Sequence, residues 1–123
     1  MVQMPHRILV VDDEPVVADS LKMFLQFDGY TVEVACGGEE ALKLFQQTRF
    51  DLVITDQQMP GMKGDALIRA IRALSPDTPV IFISAYGEQL RASSKSLGVD
   101  EVFEKPFKTD EVRKAVARLL EKT

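Results

Sequence analysis

The chain has 123 residues, 46% of them hydrophobic and 28% charged, with a formal net charge of −4; that length builds one domain with a real core and not two. A negative balance without a basic run argues against direct binding to nucleic acid or to an anionic membrane surface, and the single Cys36 excludes an internal disulfide and a cysteine-based structural zinc site. With no membrane-length apolar stretch and no signal-peptide pattern, one cytoplasmic domain is expected over residues 1–123, structured from His6 to Glu121.

Met1 to Pro5 read as an unstructured lead-in. Arg7–Val11 is almost continuously apolar, as in a strand covered on both faces. Val17, Leu21 and Phe24 then recur at helical spacing, with Pro15 suited to a first turn and Gly29 just past the end. Thr31–Ala35 alternates, which predicts an edge strand. Gly37-Gly38 open a second helix carrying Ala41, Leu44 and Phe45. Asp51–Thr55 is a second fully covered strand, followed by a helix through Leu67, Ile71 and Leu74 that Pro76 stops. Pro79–Ile83 is the third covered strand.

The next helix, roughly Glu88 to Leu97, is weak, because Ser93 and Ser94 take inward-spaced positions. Little burial predicts a low opening free energy and hence a mobile element. Glu101–Phe103 forms the last strand. A final helix runs through Val112, Val116, Leu119 and Leu120, with Thr109 as N-cap and Asp110 and Glu111 favouring its positive end.

Strands alternating with helices predict an α/β fold, a flavodoxin-like doubly wound (βα)5 unit around a five-stranded parallel sheet. Right-handed crossovers leave few topologies. The order 2-1-3-4-5 sets the first and third strands side by side, with ligands expected at the carboxyl edge. Asp12 and Asp13 follow the first strand, Asp56 the third, Ser84 the fourth, and Lys105-Pro106 the fifth. Three carboxylates, a hydroxyl and an ammonium then meet in one crevice, which is apparatus for accepting a phosphoryl group with a divalent metal. Asp56 is the expected acceptor, forming an acyl phosphate as carboxylate nucleophiles do. Asp12 and Asp13 offer oxygen to Mg²⁺, a hard cation. Without a cation, the surplus negative charge would repel the incoming group.

The segments Ile8-Leu9-Val10-Val11-Asp12-Asp13-Glu14-Pro15, Asp51-Leu52-Val53-Ile54-Thr55-Asp56 with Met59-Pro60-Gly61-Met62, Ser84-Ala85-Tyr86-Gly87 and Lys105-Pro106-Phe107 occur in this order. On them the chain resembles, over nearly its whole length, the receiver domain of two-component response regulators. The resemblance implies a phosphorylation-controlled switch rather than a separate turnover enzyme. It implies Asp56 as phosphoacceptor, assisted by Lys105 and Ser84. Mg²⁺ would be held by Asp12, Asp13, Asp56 and the backbone carbonyl of Gln58, and the peptide before Pro106 would be cis. The implied donor is a phosphohistidine on a sensor histidine kinase or phosphotransfer protein. A downstream effector is expected on the face of the fourth helix, fifth strand and fifth helix.

Some positions depart from that pattern. Val102 stands where many receivers carry Tyr or Phe, so coupling through a turning ring is not expected, and Phe103 lies on the opposite strand face as a core residue. Tyr86 either shields the acyl phosphate from water or packs on its loop. Ala115 stands where receivers that dimerise through the last helices often carry a basic residue, so that dimer is not expected. No output domain is expected within these residues. Rival functions fit less well. An aspartyl-phosphate phosphatase needs an acid/base aspartate where Gln58 stands, and Asp12-Asp13-Glu14 would repel a flavin phosphate. An interaction module independent of phosphorylation remains as the alternative.

Overall fold

The computed structural model describes residues 5–85 and 96–121. Its elements are β1 (Arg7–Val11), α1 (Pro15–Phe27), β2 (Thr31–Ala35), α2 (Gly38–Gln47), β3 (Leu52–Asp56), α3 (Gly64–Leu74), β4 (Val80–Ser84), β5 (Glu101–Glu104) and α4 (Thr109–Glu121). The strands form one parallel sheet in the order β2-β1-β3-β4-β5. This is the expected α/β topology, with the alternating strand β2 at an edge. The lead-in over residues 1–4, Tyr86, and the predicted weak helix with its mobility lie outside the described residues, except that residues 96 and 97 are helical.

Because side chains on a strand alternate between faces, each central strand feeds two cores. Ile8, Val10, Leu52, Ile54, Ile81 and Ile83 pack toward α1 and α4. Leu9, Val11, Val53, Val80 and Phe82 pack toward α2 and α3. Leu97 is buried in the second core as well. Phe103 packs on the first core and Val102 on the second, the opposite faces expected of them.

Strand ends shift slightly from the sequence reading. β3 and β4 each begin and end one residue later than expected, and β5 extends to Glu104. Pro79 has no N–H to give to the ladder and joins it through its carbonyl alone, 3.0 Å from the Val53 amide. The Asp51 carboxylate accepts the Arg7 amide at 2.8 Å, bracing the strand entrance. As a result, Asp56 and Ser84 are the last strand residues, held by the sheet, rather than the first loop residues.

Helix faces also need correction. On α1 the buried positions are Ala18, Leu21 and Leu25, with Val17 and Phe24 at the flanks of that stripe. On α3 Ile68 joins Leu67 and Ile71, while Leu74 is exposed. Leu74 is the final helical residue, where periodicity does not say whether anything lies opposite. On α2 Ala41 is buried and Leu44 and Phe45 are half-buried against the second core. Val112, Val116, Leu119 and Leu120 of α4 are all buried, together with Ala115. The Lys108 carbonyl accepts from the Glu111 and Val112 amides, at 3.1 and 3.3 Å. The residue whose carbonyl takes the first helical bond is the cap, so Lys108 holds that position and Thr109 begins the helix.

The end of α1 shows how a local rule is met. Gly29 has φ +97. Its amide bonds to the Gln26 carbonyl at 3.0 Å and the Tyr30 amide to the Leu25 carbonyl at 3.1 Å. This is the paired closure that a left-handed glycine permits, and it turns Tyr30 back onto the core.

Leu25→Ala is expected to cost about 3 kcal/mol, as for a buried leucine left as a cavity. Phe27→Ala, two residues on and 85% exposed, should cost no more than about 0.5 kcal/mol. Urea unfolding of the two variants checks which face of α1 is buried.

Candidate functional site

Parallel pairing places the ends of β1, β3, β4 and β5 along one edge. Val11 is in register with Thr55, Asp56 with Ile83, and Ser84 with Glu104. The residues that follow these strands therefore converge. The sequence-predicted Asp12, Asp13, Asp56 and Lys105 do come together: carboxylate oxygens of the three aspartates lie within 4.8 Å of one another. Asp12 and Asp56 are buried and Asp13 is exposed. Gln58 lines the same opening, a cavity of about 320 Å³ bounded by Asp13, Glu14, Asp56, Gln58, Ala85 and Lys105.

The two oxygens of Asp56 are held differently. Oδ1 accepts the Gln58 amide at 3.2 Å and Oδ2 accepts the Lys105 ammonium at 3.0 Å. Asp12 Oδ1 accepts the Glu14 amide at 2.9 Å, and its Oδ2 lies 3.0 Å from Lys105 Nζ. Lys105 reaches them because its amide donates to the Ser84 carbonyl at 2.8 Å, continuing the β5–β4 ladder by one residue. The Lys105–Pro106 peptide is cis, as the resemblance implied. Ser84 is fully buried at the end of β4, one residue beyond the partner of Asp56.

Two residues of this site escaped the sequence reading. Glu14 Oε1 lies 2.9 Å from Lys105 Nζ, making a third carboxylate on one ammonium. Its charge beside Asp12-Asp13 was the available signal, but a contact across 91 residues of chain is not local information. The second is Gly64, at the start of α3. A Cβ there would run into the Asp56 carbonyl, lie 2.8 Å from the Phe82 ring and lie 2.9 Å from Gln57 Cα. Gly64 lets α3 close against the strand end that carries Asp56. The Gly64 amide bonds to the Gln57 carbonyl at 3.2 Å, and the Gln57 side chain accepts the Asp65 amide at 2.7 Å. Glu39 of α2 accepts the Met62 amide at 2.8 Å. The loop after Asp56 is thus tied down from two helices.

Charge is unbalanced in this crevice. Burial pushes the Asp12 carboxyl above its ordinary value, and neighbouring Asp56 adds to the rise, against the Glu14 amide and the Lys105 ammonium. For Lys105, burial acts to lower the ammonium's pKa, but hydrogen bonds to Glu14, Asp12 and Asp56 outweigh it and hold it above the usual lysine value. Four carboxylates facing one ammonium leave room for further positive charge. Their oxygens are the donor set of a hard divalent cation, which takes few carboxylates and keeps several waters. Chemically, the crevice offers an anchored carboxylate nucleophile, a fixed ammonium and a cluster fit for a metal. Among the described residues no helix is long and apolar enough to cross a membrane.

The family model of the response regulator receiver domain matches residues 8–117. The response regulator MprA of Mycolicibacterium vanbaalenii is 38% identical over 121 residues, covering 98% of this chain and 52% of that protein. The chain thus spans about half the length of the relatives it matches. Among solved structures, a CheY-like receiver domain protein from Methanospirillum hungatei is similar with a TM-score of 0.92 and 29% identity, over 97% of this chain and 96% of that one. The response regulator TrrA from Thermotoga maritima, solved in complex with Mg²⁺–BeF, has a TM-score of 0.85 and 42% identity over 93% of this chain and 98% of its own.

Lys105→Met should destabilise the metal-free protein by about 3 kcal/mol near neutral pH, since it strands two buried carboxylates. The ammonium's folded pKa is raised, so its contribution is full below the unfolded value of about 10.4 and is lost as pH rises beyond it. On the acid side the gap between wild type and variant should narrow as Asp12, whose carboxyl burial holds above its ordinary value, takes up its proton. Urea unfolding across pH checks this, and a gap constant from acid to alkali would contradict it.

Proposed function

This chain belongs to the response regulator receiver domain family, and from that premise we propose that Asp56 accepts a phosphoryl group in a Mg²⁺-dependent conformational switch of two-component signal transduction. The observation that carries the reading is the state of Asp56: a buried carboxylate at a strand end, 3.0 Å from Lys105 Nζ and clustered with Asp12 and Asp13. A carboxylate oxygen of Asp56 attacks the phosphorus of a phosphohistidine. A P–O bond forms, the P–N bond breaks, and the histidine nitrogen keeps the electron pair. Such a transfer depends mainly on positioning and charge stabilisation. Asp12, Asp13, Asp56 and the backbone carbonyl of Gln58 would hold Mg²⁺, which would supply the positive charge that this acidic crevice lacks. Lys105 stabilises one phosphoryl oxygen and Ser84 donates a hydrogen bond to another. The domain promotes its own phosphorylation and dephosphorylation and has no separate turnover reaction.

Phosphorylation replaces the single negative charge of the carboxylate with the roughly −1.5 to −2 of a phosphoryl group and brings new acceptor oxygens to the sheet edge. Drawing Ser84 toward the new oxygens moves the end of β4, a population shift that a partner reads. The donor is a sensor histidine kinase or phosphotransfer protein in the cytoplasm, and a downstream effector reads the side of β5 and α4. Val16, Met23 and Phe27 support the docking of that donor. They are 79%, 62% and 85% exposed, they share one stripe of α1 by spacing, and α1 begins beside the acidic cluster.

Incubation with Mg²⁺ and acetyl phosphate should add one phosphoryl group by intact mass. The addition should disappear in Asp56→Asn and when Mg²⁺ is removed. Addition that persists in the Asp56 variant would refute the assignment. A second expectation concerns docking: Met23→Glu should slow transfer from a phosphohistidine protein about tenfold or more, as for loss of a central interface contact, while transfer from acetyl phosphate stays unchanged. Equal slowing with both donors would place Met23 outside the docking surface.

A further inference from the structure

Glu14 occupies the N-cap position of α1, with φ −92 and ψ 109, yet its side chain makes no capping bond. Its carboxylate points instead to Lys105 Nζ, 2.9 Å away. An ammonium has three N–H donors, and Lys105 spends them on Asp12 at 3.0 Å, Glu14 at 2.9 Å and Asp56 at 3.0 Å. A phosphoryl oxygen arriving on Asp56 needs one of these donors. Asp12 and Asp56 side chains are 3% and 4% exposed, whereas that of Glu14 is 60% exposed. Releasing the buried Asp12 carboxylate strands its charge, and the Asp56 oxygens stay beside Lys105 with the phosphoryl group they carry, while releasing the exposed Glu14 lets water replace the contact at little cost.

We propose that Glu14 is a positioning residue for Lys105. It holds the third N–H of the ammonium in the resting domain and surrenders it when a phosphoryl oxygen appears. The proposal rests on the reading of Asp56 as acceptor. Because the contact exists in one state and not the other, it weights the equilibrium toward the unphosphorylated domain. A short ion pair at an exposed position sets the size of that bias at about two- to fivefold in the affinity for a phosphoryl mimic.

The test is titration of the chain with beryllofluoride at saturating Mg²⁺, for wild type, Glu14→Ala and Glu14→Asp. The aspartate keeps the charge but loses a methylene of reach. Both variants are expected to bind the mimic about two- to fivefold more tightly than wild type. The ammonium resonance of Lys105, followed by NMR without the mimic, should shift in both. If Glu14→Asp behaves as wild type while Glu14→Ala tightens, general charge repulsion is at work and the tether is overturned. Affinities unchanged or weaker in both variants overturn it as well. Wild-type protein that fails to bind beryllofluoride would remove the acceptor reading itself, an outcome distinct from the other two.

Discussion

Burying two carboxylates at the ends of neighbouring strands is expensive, several kcal/mol per ion even after relaxation, and the Lys105 ammonium makes it tolerable here. It lies 3.0 Å from both Asp12 and Asp56. It comes from a strand separated from them by β4, and its place depends on the whole sheet. β5 must pair with β4 for the Lys105 amide to reach the Ser84 carbonyl, and β4 with β3 for that ladder to end beside Asp56. The site is therefore a property of the strand order. A chain with the same residues and a different order would scatter its charges.

The balance the lysine provides is incomplete by design of composition: one cation serves Asp12, Asp56 and Glu14, and Asp13 stands in the same cluster. Burial keeps the Asp12 carboxyl reluctant to ionise. Surplus negative charge in a crevice open to solvent has a functional consequence, because it makes the site responsive to whatever positive charge or new anion enters it. The same electrostatics that costs stability thus makes the crevice receptive to a cation.

Around the charges, backbone packing is firm. Gly64 lets α3 approach the Asp56 carbonyl, and the loop from Gln57 to Lys63 is tied by Glu39, by the Gln57 side chain and by the Gly64 amide. This fixes the Asp56 carboxylate against a firm support, the condition for a positioned nucleophile. On the other face, α4 is joined to the end of α1 by the Arg113–Asp28 pair at 2.6 and 2.8 Å, which holds the Asp28 carboxyl below its ordinary value. That pair is at the surface and adds little stability. Its geometric effect is to link the two helices that cover the first core.

Much of this was legible in the order of residues. Apolar runs bounded by turn residues located the three central strands to within a residue, because strands covered on both faces leave a continuous hydrophobic signature, and alternation located the edge strand β2. The carboxylates and the lysine at the strand ends followed from the parallel topology alone. Register and facing were decided by the tertiary structure. Periodicity on α1 and α3 identified helices but favoured Phe24 and Leu74 over Leu25 and Ile68 as buried positions, since a stripe is defined by what packs on it. Lys108 rather than Thr109 caps α4 because the cap is set by which carbonyl takes the first bond. Glu14 on Lys105 and Gly64 against Asp56 were invisible for the same reason. The first joins segments 91 residues apart, and the second depends on how α3 folds back against the strand end that carries Asp56, which no local pattern encodes. The sequence by itself determined the strand order's raw material and the chemical inventory of the site; the folded sheet decided which of those groups touch.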